Sequence, residues 1–214
     1  MPIGKNYCAR VIVRYSLAGM APSDPSRTTL TTAASLRVLA HPTRLRLLGL
    51  LRERGAQTAA QLGEVVDEAP GTVSYHLAKL AEFDLIEPAD GQSTDRRERW
   101  WRATTERTSW EPAELLDDPE KHTASAALQK SVAQVYAARF GEYIDATPAM
   151  PREWVAAGSS GDRSLRLTVD ELAGMRAEIE ELVDRWTDVG ATHDPNAPDG
   201  AQRVAFVYQA YRRP

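Results

Sequence analysis

PGTVSYHLAKLA, residues 70–81, is the stretch that decides the fold, because its pattern predicts a short amphipathic helix. Pro70 suits the first helical turn, where its missing N–H is not needed. Val73, Leu77 and Leu80 recur at helical spacing on one face. The segment contains no acid. Its other face carries small or hydrogen-bonding side chains: Thr72, Ser74, Tyr75, His76 and Lys79.

A second short helix is predicted immediately upstream, from Thr58 to about Val66. Thr58 has the character of an N-cap, and Gln61 stands three residues later at the reciprocal capping position. Residues 67–69 form a turn before Pro70. Further upstream, residues 31–53 show a leucine-rich helical stripe that Pro42 interrupts. The order helix, short turn, helix is that of a helix-turn-helix.

Two strands are predicted downstream of this pair of helices. Residues 85–86 begin the first strand, and Asp90-Gly91 is a strong hairpin signal. The returning segment, residues 96–102, is rich in arginine and tryptophan. This order predicts a winged helix-turn-helix over residues 31–103, in a protein that is mainly α with a small β component.

The segments on either side of the winged helix-turn-helix are predicted to be an arm, a linker and a helical C-terminal region. Residues 1–30 form a flexible arm, and residues 104–119 form a polar linker. A short strand within Cys8–Tyr15 is an alternative, but nothing in the sequence anchors it. Residues 120–214 form a helical region with a small αβ tail, suited to dimerisation and to an effector. Its elements are a helix over 120–146, a short strand at Leu165–Thr168, a helix capped by Thr168 with Glu171, and a final strand at Val204–Tyr211.

Composition and charge exclude several classes of protein. The net charge of −4 divides into +3 over residues 1–30, zero over residues 31–103 and −7 over residues 104–214, so the middle can present a basic face. One cysteine, Cys8, permits neither an internal disulfide nor a metal site with two thiolates from one chain and fits a reducing compartment. A metal site shared between subunits is the disfavoured alternative. No apolar run is long enough to span a membrane. We expect a cytoplasmic protein without a membrane partner.

Catalysis and cofactors are not expected. The four histidines show no ligand spacing, so no metal is predicted. The sequence has no glycine-rich phosphate loop, no His-Glu-x-x-His motif and no nucleophile elbow. We therefore expect a protein that is not an enzyme and needs no cofactor.

Four separated segments, Leu39–Leu48, Thr58–Gly63, Gly71–Leu80 and Leu85-Ile86, resemble the ArsR-type winged-helix regulators in order and spacing. The resemblance covers about residues 34–103. It implies a homodimer, in many members a repressor, that binds a palindromic operator in double-stranded DNA. The family's usual dimer contacts would map to residues 32–40 and 120–146.

The sequence departs from the metal-sensing members of that family. It has no Cys-x-Cys pair, and Val65-Val-Asp-Glu68 occupies the place where thiolates would be expected. The resemblance therefore argues against arsenic or cadmium sensing through thiolates. The sequence is more similar to an extended subgroup of the family. The long C-terminal half of such a protein could respond to a small-molecule effector, which the sequence does not identify.

The candidate DNA-binding residues follow from the helix-turn-helix and its wing. Thr72, Ser74 and Tyr75 are expected at base edges, and Lys79 at a phosphate. Arginines of the wing suit phosphates or a minor groove. The full candidate set is Thr58, Gln61, Thr72, Ser74, Tyr75, His76, Lys79, Arg96, Arg97 and Arg99.

Several residues have alternative interpretations. His76 could contact DNA or pack in the motif, and His41 is better explained as a helix-entry residue than as a ligand. Trp100, Trp101 and Trp110 could line a pocket, but packing is favoured. The apolar stripe from Leu128 to Tyr143 could be a tunnel wall or, more simply, a dimer helix.

A competing function is a small-molecule-responsive or protein-interaction module that does not bind an operator directly. Exposed apolar or acidic residues on the helix over residues 70–81 would indicate such a module. The polar residues found there favour DNA.

Overall fold

A computed structural model describes residues 11–13, 26–89, 99–193 and 200–213. The chain divides into two compact units, Met1–Met150 and Pro151–Pro214. The predicted fold class, mainly helical with small sheets, is confirmed. Within the described ranges, no helix has the length and apolar character required to cross a membrane.

Two helices precede the helix-turn-helix, as predicted. Helix α1 (Ala33–Leu39) begins at Thr32, whose side chain accepts a hydrogen bond from the Ser35 backbone N–H. Helix α2 (Pro42–Arg54) begins at His41, whose Nδ1 accepts a hydrogen bond from the Thr43 N–H at 3.2 Å. His41 is therefore a helix-entry residue, and the interruption at Pro42 is confirmed.

Helices α3 (Ala59–Val66) and α4 (Pro70–Ala81) form the predicted helix-turn-helix. The turn between them passes through Asp67, whose φ of 58° is left-handed. It also approaches α3 very closely at Gly63. A Cβ atom at Gly63 would lie 2.6 Å from the carbonyl oxygen of Glu68. Glycine at this position therefore lets the turn pack against the helix.

The wing strands are confirmed where the structure describes them. Strands β3 (Gln57–Thr58) and β4 (Ile86–Pro88) both pair antiparallel with β5 (Trp100–Ala103). The register places Gln57 opposite Trp101 and Ile86 opposite Ala103. The predicted hairpin tip at Asp90-Gly91 lies outside the described residues.

A second, parallel sheet corrects two predictions. Strand β6 (Arg107–Trp110) lies between β1 (Val11–Val13) and β2 (Arg27–Thr29). The segment predicted as a linker thus contains a strand, and the described residues of the segment predicted as an arm contain β1 and β2, which β6 anchors. The pairing joins segments about eighty residues or more apart, so no local sequence pattern reveals it.

Helix α5 (Pro119–Ala146) packs against α1 and α2 of the same chain. Leu128, Val132 and Val135 are buried in this contact, and Ser131 Oγ donates a hydrogen bond to the Ala40 carbonyl at 2.8 Å. This half of the predicted dimer stripe is therefore covered by its own chain. Of the last two residues of the stripe, Phe140 is exposed and Tyr143 is half-buried.

The second unit contains helices α6 (Arg152–Ala157) and α7 (Val169–Ala191). The predicted cap at Thr168 is confirmed, because its side chain accepts a hydrogen bond from the Glu171 N–H. The strands predicted at Leu165–Thr168 and Val204–Tyr211 are wrong, since neither range contains a strand. Alternating residues are insufficient where no neighbouring strand supplies backbone hydrogen bonds.

Candidate nucleic-acid interface

Helix α4 has one buried and one exposed face. Its buried residues Val73, Leu77 and Leu80 have no exposed area and pack into the core of the first unit. Its exposed face carries small or hydrogen-bonding side chains and no acid. The exposed residues of the helix are Pro70, Gly71, Thr72, Ser74, Tyr75 and Ala78. We call the outer surface formed by Thr72, Ser74, Tyr75 and Lys79 the α4 face.

The side chains of the α4 face differ in their exposure and in the hydrogen bonds that they already make. Tyr75 is 58% exposed. Ser74 Oγ donates a hydrogen bond to the Pro70 carbonyl at 2.8 Å, which leaves its oxygen able to accept. Lys79 Nζ lies 3.0 and 2.9 Å from the two carboxylate oxygens of Glu82. This hydrogen bond raises the pKa of Lys79, so the residue is cationic at neutral pH.

The N-terminus of α4 has no side-chain cap. Ala69 stands at the N-cap and offers no hydrogen-bonding side chain. The first turn of α4 contains no acid. Backbone N–H groups of the first turn have no partner within the helix, and together with the helix dipole they suit a phosphate. This end of α4 is exposed from Ala69 to Thr72.

Two of the candidate DNA-binding residues act as a cap. Thr58 Oγ1 accepts a hydrogen bond from the Gln61 N–H at 3.2 Å, and Gln61 Oε1 accepts one from the Thr58 N–H at 2.9 Å. The predicted capping box is therefore confirmed. Thr58 is only 3% exposed, so its side chain does not face solvent. Gln61 is exposed, although its amide oxygen is already bonded.

His76 packs inside the motif and does not lie on the α4 face. It is 7% exposed, and its ring centroid lies 4.6 Å from that of His41. Its Nε2 lies 3.9 Å from Glu68 Oε2. Burial lowers the pKa of His76, and Arg44 adds to this effect, whereas Glu68 opposes it. The imidazole is therefore neutral at physiological pH.

The wing contributes one described candidate. The Arg99 guanidinium stacks over the Trp101 ring, 4.4 Å from its centroid, and keeps its N–H donors at an exposed position. Arg96 and Arg97 lie outside the described residues. Trp101 and Trp110 are buried in the core, as the packing interpretation predicted.

Sequence reasoning missed the contacts of Glu68 and Thr43. Thr43 Oγ1 donates a hydrogen bond to Glu68 Oε1 at 2.9 Å, so the turn is tied to the start of α2. Twenty-five residues separate the two partners. A single sequence carries no signal of that pairing.

The described helices and wing strands define a winged helix-turn-helix, in which an exposed, acid-free second helix stands beside a β-wing. A family model described as a helix-turn-helix domain matches residues 39–89, which span α2 to β4. The chain is therefore a DNA-binding transcriptional regulator of the winged helix-turn-helix class. No curated protein matches the chain.

Solved structures similar to this chain include a possible transcriptional regulator for arsenical resistance, 30% identical over 46% of this chain and 83% of that one, with a TM-score of 0.29. Lactococcus lactis ZitR in complex with DNA is 15% identical over 78% and 84%, with a TM-score of 0.26. RV1404 from Mycobacterium tuberculosis is 17% identical over 60% and 84%, with a TM-score of 0.28.

Proposed function

We propose that the chain is a homodimeric repressor of the ArsR type that binds a palindromic operator and does not sense metal through thiolates. The observation that carries the proposal is the exposed, acid-free α4 face, which begins at an uncapped helix N-terminus. In this arrangement the α4 helices of two protomers enter successive major grooves, about one helical turn of DNA apart.

The α4 face supplies two kinds of contact. Thr72, Ser74 and Tyr75 approach base edges, where hydroxyl groups can donate or accept hydrogen bonds. The open N–H groups at the start of α4 and Lys79 approach phosphates, which position the helix without reading sequence. Lys79 then exchanges its exposed contact with Glu82 for a phosphate oxygen. Thr58 and His76 are omitted from this contact set because both side chains are buried.

The wing supplies the other cations. Arg96, Arg97 and Arg99 hold phosphates or the adjacent minor groove, for which arginine is well suited. With Lys79, each protomer offers four cations and a dimer offers eight. Binding to eight phosphates releases their counterions. A plot of the logarithm of affinity against the logarithm of salt concentration should therefore have a slope of about −7.

The dimer surface proposed here is the C-terminal half of α5. Phe140 and Ile144 are 48% and 52% exposed, one helical turn apart on the same face. The Phe140 ring stacks on Tyr143 with centroids 5.9 Å apart. These residues continue the stripe whose first half packs on α1, so a partner's α5 would cover the uncovered part.

Two further parts of the proposal rest on the sequence. Residues 120–214 are proposed to respond to a small-molecule effector of unspecified chemistry. The protein is proposed to act in the cytoplasm.

Selection of bound duplexes from a random pool, followed by affinity measurements over a salt series, tests DNA recognition. We expect a palindrome with half-sites about ten base pairs apart. Replacing Arg96 and Arg97 with alanine should reduce the slope from about −7 to about −4 and weaken all sequences alike. Replacing Ser74 and Tyr75 should relax sequence preference instead. Parent-like binding by both double variants would contradict the proposed docking, and binding without any enriched sequence would favour a protein-interaction module.

The dimer is tested by sedimentation of two variants matched in chemistry. Ile144→Glu places a charge in the proposed interface and should produce monomers with weakened operator binding. Leu116→Glu places the same charge at an equally exposed apolar position outside α5 and should remain dimeric. Dimers of Ile144→Glu as stable as those of the parent would exclude this surface.

A further inference from the structure

Glu68 is a turn residue that contacts three helices. Its backbone N–H donates a hydrogen bond to the Gly63 carbonyl of α3 at 3.1 Å. Its carboxylate accepts a hydrogen bond from Thr43 at the start of α2 and faces His76 on the buried side of α4. Glu68 therefore links α4 to α2 and α3, the two helices that support it.

The backbone of Glu68 is held in place independently of its side chain. The carbonyl oxygen of Glu68 stands 2.6 Å from where a Cβ atom of Gly63 would be, so the turn is packed directly onto α3. The preceding residue, Asp67, has the left-handed conformation that turns the chain there. A carboxylate anchored in this way points in a defined direction toward α2 and α4.

The other contacts around α4 are mostly apolar. Val73, Leu77 and Leu80 bury the helix, but apolar burial is non-directional and sets orientation less strictly than hydrogen bonds do. His76 is the one polar side chain among the buried residues of α4. Among the described residues, neither Glu68 Oε2 nor His76 Nδ1 has a hydrogen-bond partner. Glu68 Oε2 and His76 Nε2 lie 3.9 Å apart, so the carboxylate faces the imidazole without a hydrogen bond between them.

We propose that Glu68 is a positioning residue for sequence recognition: through Thr43 on one carboxylate oxygen and His76 beside the other, it sets the orientation in which the α4 face meets base edges. This inference rests on the proposed operator binding. Loss of Glu68 would leave phosphate contacts available, since these tolerate small rotations, but would misalign the side chains that read bases.

The test compares affinity for the selected operator with affinity for an unrelated duplex of equal length, using the full chain. Glu68→Ala should lower the ratio of the two affinities about tenfold, as expected for losing one charged hydrogen bond. Thr43→Val removes the same hydrogen bond from α2 with little change of shape and should lower the ratio in the same direction. Glu68→Gln keeps an amide oxygen for Thr43 and should restore part of the ratio.

Glu64→Ala is the matched control, because Glu64 is an exposed acid of α3 and its loss changes the net charge equally. It should leave the ratio unchanged. A ratio for Glu68→Ala within about twofold of the control would overturn the inference. Where circular dichroism shows that Glu68→Ala does not fold, Thr43→Val decides in its place. A parent protein without sequence preference would instead overturn the proposed function, and this inference with it.

Discussion

Replacing Gly63 with alanine measures how tightly the turn of the helix-turn-helix packs on α3. Glycine to alanine inside a helix ordinarily stabilises by about 1 kcal/mol. At Gly63, however, the new Cβ atom would lie 2.6 Å from the Glu68 carbonyl oxygen. This is about 0.7 Å inside an ordinary carbon–oxygen contact. The obstructing atom belongs to the backbone, so the turn itself has to move.

Overpacking of this kind costs about 1–3 kcal/mol. Offset by the helix propensity of alanine, the net loss in the free energy of unfolding should be up to about 2 kcal/mol, or up to about 8 °C in Tm. Urea unfolding followed by circular dichroism measures the loss. Operator affinity should fall as well, because the displaced residue is the one that contacts both α2 and α4.

Gly141→Ala provides the matched control for that measurement. Gly141 lies inside α5, in the same unit, and a Cβ atom there would meet nothing within 4 Å. This variant should be more stable than the parent by up to about 1 kcal/mol. A Gly63→Ala protein as stable as Gly141→Ala would refute the close packing of turn and helix.

Three further results are expected. Burial lowers the pKa values of His41 and His76 from the ordinary 6.5, so the unfolded chain takes up protons at a higher pH than the folded chain does. The free energy of unfolding should therefore decline as the pH falls below 6.5, and it should decline less in a His76→Gln variant. Trp110→Phe removes a buried N–H donor bonded to a serine hydroxyl and should cost about 1–3 kcal/mol in urea unfolding, against less than about 0.5 for the exposed Trp186→Phe. Ala69→Asp should stabilise α4 by about 1 kcal/mol yet weaken DNA binding in gel shifts, and tighter binding would contradict the phosphate contact there.

Local sequence signals sufficed for the helix-turn-helix because each of its elements carries its own boundary. Pro42 and Pro70 begin helices, and Thr58 with Gln61 forms the cap that the spacing predicted. These signals depend on neighbours within four residues. The periodicity of Leu77 and Leu80 likewise located the buried face of α4.

Signals that depend on distant partners were absent from the sequence. Polar Thr108 and Ser109 are buried because β1 and β2 flank β6, so a segment that resembled a linker is part of a sheet. The reverse holds for Val204–Tyr211, which alternates like a strand but has none of the pairing that defines one. Helical spacing alone does not show that His76 lies against His41, so the sequence does not distinguish a DNA contact from packing.

Most helices in the described part of the chain begin with a side-chain cap, and α4 does not. Thr32, Thr58, Asp118 and Thr168 each accept a hydrogen bond from an N–H group in the first turn of their own helix. Such a cap adds about 1 kcal/mol, and its absence at Ala69 costs α4 that amount. An oxygen at that position would occupy the same N–H groups that a phosphate requires. In α4 the uncapped end adjoins an outer face that is free of acid, so a bound phosphate would supply the missing cap and couple the stability of α4 to DNA binding.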